Sequence, residues 1–419
     1  FPKIKMSELR HYYPPELANR FFDTLTVQKG LSKLLVDFPA ALLQIIFGLL
    51  LLSFYHPFFI IYGILLLFLI YIVFKYTAVR GMETSLVESK NKYKVAHWIQ
   101  EVARSIVSFK LSGKTTLAMS KNDTLVEGYL DARENHFRIL VLQFIQMIGF
   151  KVLVTAGLLA IGGILVLQQE MNIGQFVAAE IIILLVISSV EKLIMGLESL
   201  YDVLTSLEKI GQVVDKELEP QEGEYPFQKD QDFTIELRKV AYSIPQEQKT
   251  ILTGVDLIVS PHCRILIQGD NGSGKSTLLR LMAGIIDPTG GDIFVNDVSL
   301  KGIHRNYYRS YVGQSLTEES PFEGTILENI TFGNPEVSME DVRWAVKETG
   351  LTEFVKAQPQ GLKSMIYPEG KHIPHTVSKK ILLARGIVTR PKLLILREPL
   401  DQIEANEARR IMKFLTAPE

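Results

Sequence analysis

The chain has 419 residues, of which 47% are hydrophobic, with a formal net charge of −1 and a single cysteine. That balance gives no argument for a nucleic-acid partner, which needs a concentrated basic face, and the single cysteine excludes an internal disulfide framework, so Cys263 reads as a small apolar filler of a soluble domain. The length leaves room for two or three domains, and the positive mean hydropathy of +0.17 indicates that part of the chain is not soluble.

From Phe38 to Phe74 there is no Asp, Glu, Lys or Arg. This run is too long for one membrane span and is broken around His56 and Pro57, so it predicts a helical hairpin with spans at 36–55 and 58–75, each near the ~20 residues that a bilayer requires. A second hairpin is expected at 140–168 and 173–196, with its turn near Met171 and Asn172. Between the hairpins, Lys75 to Arg138 is rich in Lys and Arg while the two short turns carry none, which places the connection and both ends of the chain on the cytosolic side. Recurrent apolar positions such as Val87, Val95, Ile99 and Val102 predict that 76–138 is a helical extension beyond the membrane. Lys151 and Glu191 fall at similar depth near the inner boundary of the bilayer, close enough in height either to pair or to snorkel separately to the interface. Glu180 lies nearer the outer turn, with no basic residue at its depth, and is expected to face a wet cavity.

These features define an all-α transmembrane domain over 1–214. An acidic, proline-containing stretch follows at 215–232 and reads as a linker. From Phe233 to Glu419, β-branched runs alternate with helical stretches, which predicts an α/β domain with a largely parallel sheet core. Its strongest signal is "GDNGSGKST", which fits G-x-x-x-x-G-K-[ST] between an apolar strand "RILIQ" and a helix "STLLRLMAG". In that setting the backbone N–H groups of a glycine-rich loop and the start of a helix converge on phosphate oxygens. The candidate ATP-binding residues are Gly269, Asn271, Gly272, Ser273, Gly274, Lys275, Ser276 and Thr277, with Lys275 offsetting phosphate charge and the Ser276 hydroxyl as an Mg²⁺ ligand.

The segments that follow extend this motif. "LLRLMAGIIDPTGGDIFVND", "YVGQS", "SPFEGTILENITFG" and "KLLILRE" together resemble the ATP-binding cassette (ABC) transporters of exporter type. The two hairpins are similar to exporter helices three to six, and "YYPPELANRFFDTL" to the cytosolic approach to helix three. The resemblance implies a P-loop NTPase nucleotide-binding domain, two further helices upstream of Phe1, and a switch histidine beyond Glu419, so both ends are expected to be cut from a longer chain. It implies a second ABC subunit as partner, an unassigned transported substrate, and a multi-pass location in a membrane, with a bacterial inner membrane expected. It also implies roles for single residues. Gln314 would contact the metal or the attacking water, Glu398 would be the general base, and Ile244 would occupy the place of the adenine-stacking aromatic.

Two departures from the family pattern stand out. Arg397 occupies the position of the Mg²⁺-associated Asp, and "IPHTV", Ile373 to Val377, occupies the position of the L-S-G-G-Q signature. Pro374 lacks an N–H and His375 adds bulk where small residues would offer backbone donors to phosphate. An exporter subunit that hydrolyses ATP weakly, a degenerate subunit that binds ATP for assembly or gating, and a membrane-anchored scaffold without transport all stay open at this level.

Overall fold

A computed structural model of the chain describes residues 1–228, 231–244, 249–316 and 319–417. It divides into two compact units, His11–Lys216 and a second unit made of Phe1–Arg10 together with Glu217–Glu419.

The first unit is helical. Four helices, α1 (Asp23–Ser53), α2 (Phe58–Arg104), α3 (Leu117–Leu167) and α4 (Ile173–Val214), are each long and apolar enough to cross a membrane. At 51 residues α3 measures about 77 Å, more than twice the ~30 Å hydrocarbon layer, so its polar half continues well outside the bilayer. The chain turns over between Ser53 and Phe58. At the second turn, Asn172 and Gln175 form a capping box, each side chain accepting from the other's backbone N–H, which satisfies the first donors of α4. Ser105 interrupts the extension, and a short helix, Ile106–Leu111, separates α2 from α3.

α1 packs along α4 and α2 along α3. Their shared core contains Ile45, Leu52, Phe59, Leu66, Phe150, Leu158, Ile183 and Val190. Where three helices meet, Gly81 of α2 lies against the ring of Tyr201 on α4, and a Cβ there would stand 2.4 Å from that ring. Gln143 of α3 donates to the Tyr201 hydroxyl at 2.9 Å. Lys151 and Glu191 do not pair, and among the described residues neither has an ion-pair partner. Glu180 is half-buried on α4.

The second unit differs from the sequence expectation in three respects. Phe1–Arg10 belongs to it rather than to the helical unit: Ile4 forms a β-bridge with Leu218, and Lys5 N–H donates to the Glu217 carbonyl at 3.0 Å. The stretch expected as a linker is packed. Glu219 accepts two bonds from the Arg309 guanidinium at 2.7 Å, Tyr225 stacks on His304, and Phe227 is buried in the core, so aromatic and bidentate anchors override a polar composition.

The sheet is also mostly antiparallel. β1 (Ile235–Ile244), β2 (Lys249–Val259), β3 (Gly290–Val295) and β4 (Val298–Ser299) form one antiparallel sheet in the order β2-β1-β3-β4. Among the described residues β5 (Val312–Ser315) pairs in parallel with β8 (Leu393–Leu396), and β6 (Gly324–Thr325) pairs with β7 (Met365–Ile366). The expected strand "RILIQ" has no strand partner among the described residues, and Ile265 and Leu266 are 45% and 80% exposed.

Candidate functional site

The phosphate loop is built on glycines that must be glycines. Gly272 and Gly274 have φ of +85° and +89°, and a Cβ on Gly274 would meet the Leu252 side chain at 2.7 Å. Gly274 is also the N-cap of the helix α5 (Lys275–Met282), and no side chain caps it. The first N–H groups of α5 therefore point out of the helix with no side-chain acceptor among the described residues, which is the polarity an anion needs. Lys275 Nζ curls back across the loop and donates to the carbonyls of Gly269 and of Asp270, the latter at 2.7 Å. Ser273 N–H donates to the Asp270 carbonyl at 3.2 Å and closes the turn. Asn271 and Ser273 are exposed in the loop, while Ser276 and Thr277 are half-buried in the first turn of α5.

The rest of α5 fixes this loop relative to β5 and β8. Leu278, Leu281 and Met282 share one core with Leu316, just past β5, and Ile395 of β8. In the parallel register Gln314 stands beside Ile395 and Ser315 beside Leu396, and Arg397 N–H donates to the Ser315 carbonyl at 2.9 Å. Gln314, Arg397 and Glu398 thus sit at the C-terminal ends of adjacent parallel strands, where open α/β sheets place their ligands. Glu398 is exposed and has φ of +47°, so the chain leaves the strand sharply at that residue.

Two features of the site carry no motif. Lys379, in the helix α6 (His375–Ile387), donates to the Glu398 carbonyl at 3.4 Å and pairs with Asp401 at 3.2 Å, pinning the turn that presents Glu398. Gly313 of β5 and Gly386 of α6 allow backbones to touch: a Cβ on Gly313 would lie 1.9 Å from the Gly386 carbonyl oxygen. Both glycines stand in the sequence, but nothing in their spacing says which residue each meets.

Ile244 ends β1 and is only 5% exposed, so it presents little surface to an adenine ring, while Tyr242 is half-buried against the core. In "IPHTV", Pro374 is the N-cap of α6, and its carbonyl accepts from both Val377 and Ser378 N–H at 2.9 and 3.1 Å. His375 is exposed and has no hydrogen-bond partner among the described residues.

The residues here suit Mg²⁺ poorly. Among the described residues no cluster of three or more His, Cys, Asp or Glu could hold a metal, and the two expected ligands, Ser276 and Gln314, are neutral. Arg397 adds a fixed positive charge where a carboxylate is expected.

Comparison with known proteins assigns the class. The ABC transporter transmembrane region model matches residues 5–190, and the ABC transporter model matches residues 252–401. The chain belongs to the ABC transporter family, with a transmembrane part and a nucleotide-binding part in one chain. Alpha-hemolysin translocation ATP-binding protein HlyB of Escherichia coli O157:H7 is 27% identical over 321 residues, covering 76% of this chain and 45% of the relative. A putative export ATP-binding/permease protein of Rickettsia bellii is 24% identical over 392 residues, covering 92% and 68%. The chain therefore spans about half the length of the HlyB relative. A solved bacterial Atm1-family ABC exporter with ATP bound shares the fold at a TM-score of 0.86 and 18% identity, covering 96% of this chain and 71% of that one. The protein is an integral membrane protein of an ATP-binding family.

Proposed function

We propose that the chain is one subunit of a dimeric exporter that couples ATP binding and hydrolysis to passage of a substrate across a membrane. The observation that carries this reading is the uncapped start of α5, with Lys275 folded over its loop, in the same chain as four membrane-length helices. The N–H groups of 271–277 would receive the phosphates, Lys275 would offset their charge, Gln314 would sense the nucleotide, and Glu398 would polarise the attacking water. Mg²⁺, the customary companion of ATP, would have only the neutral oxygens of Ser276 and Gln314 from this set. Hydrolysis should accordingly be slow.

The Lys and Arg content of 75–138 supports a multi-pass arrangement with the nucleotide-binding unit in the cytosol, and the bacterial exporters among its relatives favour a bacterial inner membrane. A second ABC subunit would complete the assembly.

The test is equilibrium binding of a fluorescent ATP analogue to the purified chain. Lys275→Ala should weaken binding by about 10–100-fold, the range for losing a hydrogen-bonded charge partner. Unchanged binding would remove the nucleotide from this loop.

A further inference from the structure

We infer that the site reads the triphosphate and not the base, so that any nucleoside triphosphate, and inorganic tripolyphosphate itself, binds where ATP does. The inference rests on the nucleotide-binding reading above and adds to it the class of ligand that the site admits.

The wall beside the phosphate loop is the end of the β1–β2 pair. A Cβ on Gly274 would lie 2.7 Å from the Leu252 side chain and 3.2 Å from both the side chain and the carbonyl oxygen of Ile251. Leu252 stands opposite Tyr242 in the register, Thr250 opposite Ser243 and Lys249 opposite Ile244, so the end of β1 and the start of β2 flank the loop together. A Cβ on Gly272, by contrast, would meet nothing within 4 Å, so the loop is open at that residue. A base carried by phosphates in the loop has the β1–β2 wall as its neighbour.

That wall gives a base little to hold. Recognition of a base needs a ring to stack on, or free donors and acceptors set against its edge. The ring of Tyr242 packs against the core that contains Leu252 and Leu278, and Ile244 is buried. Between the two strands the sequence reads Pro245, Gln246, Glu247 and Gln248, which adds no ring. The polar groups bond to one another: the Ser243 and Thr250 hydroxyls lie 3.1 Å apart, Ser243 N–H donates to Thr289 Oγ1 at 2.9 Å, and the Thr289 hydroxyl donates to the Ala241 carbonyl at 3.2 Å. Lys249 is exposed at the start of β2, and its ammonium favours phosphate over any particular base. The loop itself suits phosphate throughout, with Gly272 and Gly274 at positive φ, the start of α5, and Lys275 donating across it. A ring stacked on a base is worth about five- to a hundredfold in affinity, and that increment is missing here. Binding energy therefore comes from the part that all nucleoside triphosphates share.

The experiment is a displacement titration of the full chain in lipid nanodiscs, in which a trinitrophenyl-ATP probe is competed by ATP, GTP, CTP, UTP or tripolyphosphate at one fixed Mg²⁺ concentration. The nucleotides should compete with affinities within about fivefold of one another, and tripolyphosphate within about tenfold of ATP. Lys275→Ala should weaken every competitor, which ties each of them to this loop. Tyr242→Leu should leave the ratio of ATP to tripolyphosphate affinity unchanged, and because both affinities come from one preparation, a loss of folded chain does not move that ratio. ATP binding more than about fivefold tighter than CTP or UTP, or more than about tenfold tighter than tripolyphosphate, would overturn the inference while leaving nucleotide binding intact. So would a fall of about fivefold or more in the ratio in Tyr242→Leu, or competition by tripolyphosphate that Lys275→Ala does not weaken. Absence of competition by every ligand would instead overturn the nucleotide reading, and this inference with it.

Discussion

Two helices of the α/β unit begin in settings that the family uses for phosphate, and they begin differently. α5 starts on Gly274 in the left-handed region, with no side-chain cap and its first N–H groups turned outward. α6 starts on Pro374, whose own N–H is missing and whose carbonyl takes the Val377 and Ser378 N–H groups. Neither start has a side-chain cap, and α6 differs in offering fewer donors, because Pro374 has no N–H and the Val377 N–H is already bonded to the Pro374 carbonyl. A helix dipole alone does not make a binding site, because donors already spent on the chain are not available to a ligand.

The largest expected effect comes from damaging the start of α5. Gly274→Ala places a Cβ at positive φ and 2.7 Å from Leu252, so it should abolish ATP-analogue binding and lower stability by about 1–3 kcal/mol, read from denaturant unfolding of the purified chain. Retained binding would show that the loop tolerates a different backbone. Next comes repair at Arg397. Arg397→Asp should raise Mg²⁺-dependent turnover about tenfold, roughly 1.4 kcal/mol of barrier, and a second change, Glu398→Gln, should take that gain away. Fast Mg²⁺-dependent turnover in the unmodified protein would contradict this.

A smaller effect belongs to the turn behind Glu398. Lys379→Ala should lower kcat about three- to tenfold with the KM for ATP unchanged, and Lys379→Arg should restore most of it, since either cation can reach Asp401 and the Glu398 carbonyl. A change in KM alone would assign Lys379 to nucleotide binding instead. The smallest effect is a control at a third helix start. Ser338 caps Met339–Glu348 in a capping box with Asp341, so Ser338→Ala should cost about 1 kcal/mol of stability and leave ATP-analogue binding untouched.

Much of the site was legible because its devices are local. The loop from Gly269 to Thr277 carries its glycines, lysine and helix start within nine residues, and the membrane helices announce themselves by an absence of charge. The packing of Tyr225 and Phe227 was not legible, because a polar, proline-containing stretch reads as a linker until its aromatic residues find His304 and the core. Nor was the predominance of antiparallel pairing, since alternating strands and helices fit either arrangement until β1 is seen between β2 and β3. Lys379 carries no motif at all. Its role comes from a contact across 22 residues to Asp401.

By itself the sequence determined four membrane-length helices, a phosphate loop, and the presence of Arg397 and Pro374 in unusual places, because each follows from composition, periodicity or short spacing along the chain. Only the tertiary structure decided that Phe1–Arg10 joins the α/β unit, that Lys151 and Glu191 stay apart, and that Ile251 and Leu252 wall the phosphate loop. Those outcomes depend on which distant segments bury one another, and burial is settled by the packing of whole elements rather than by the residues next in line.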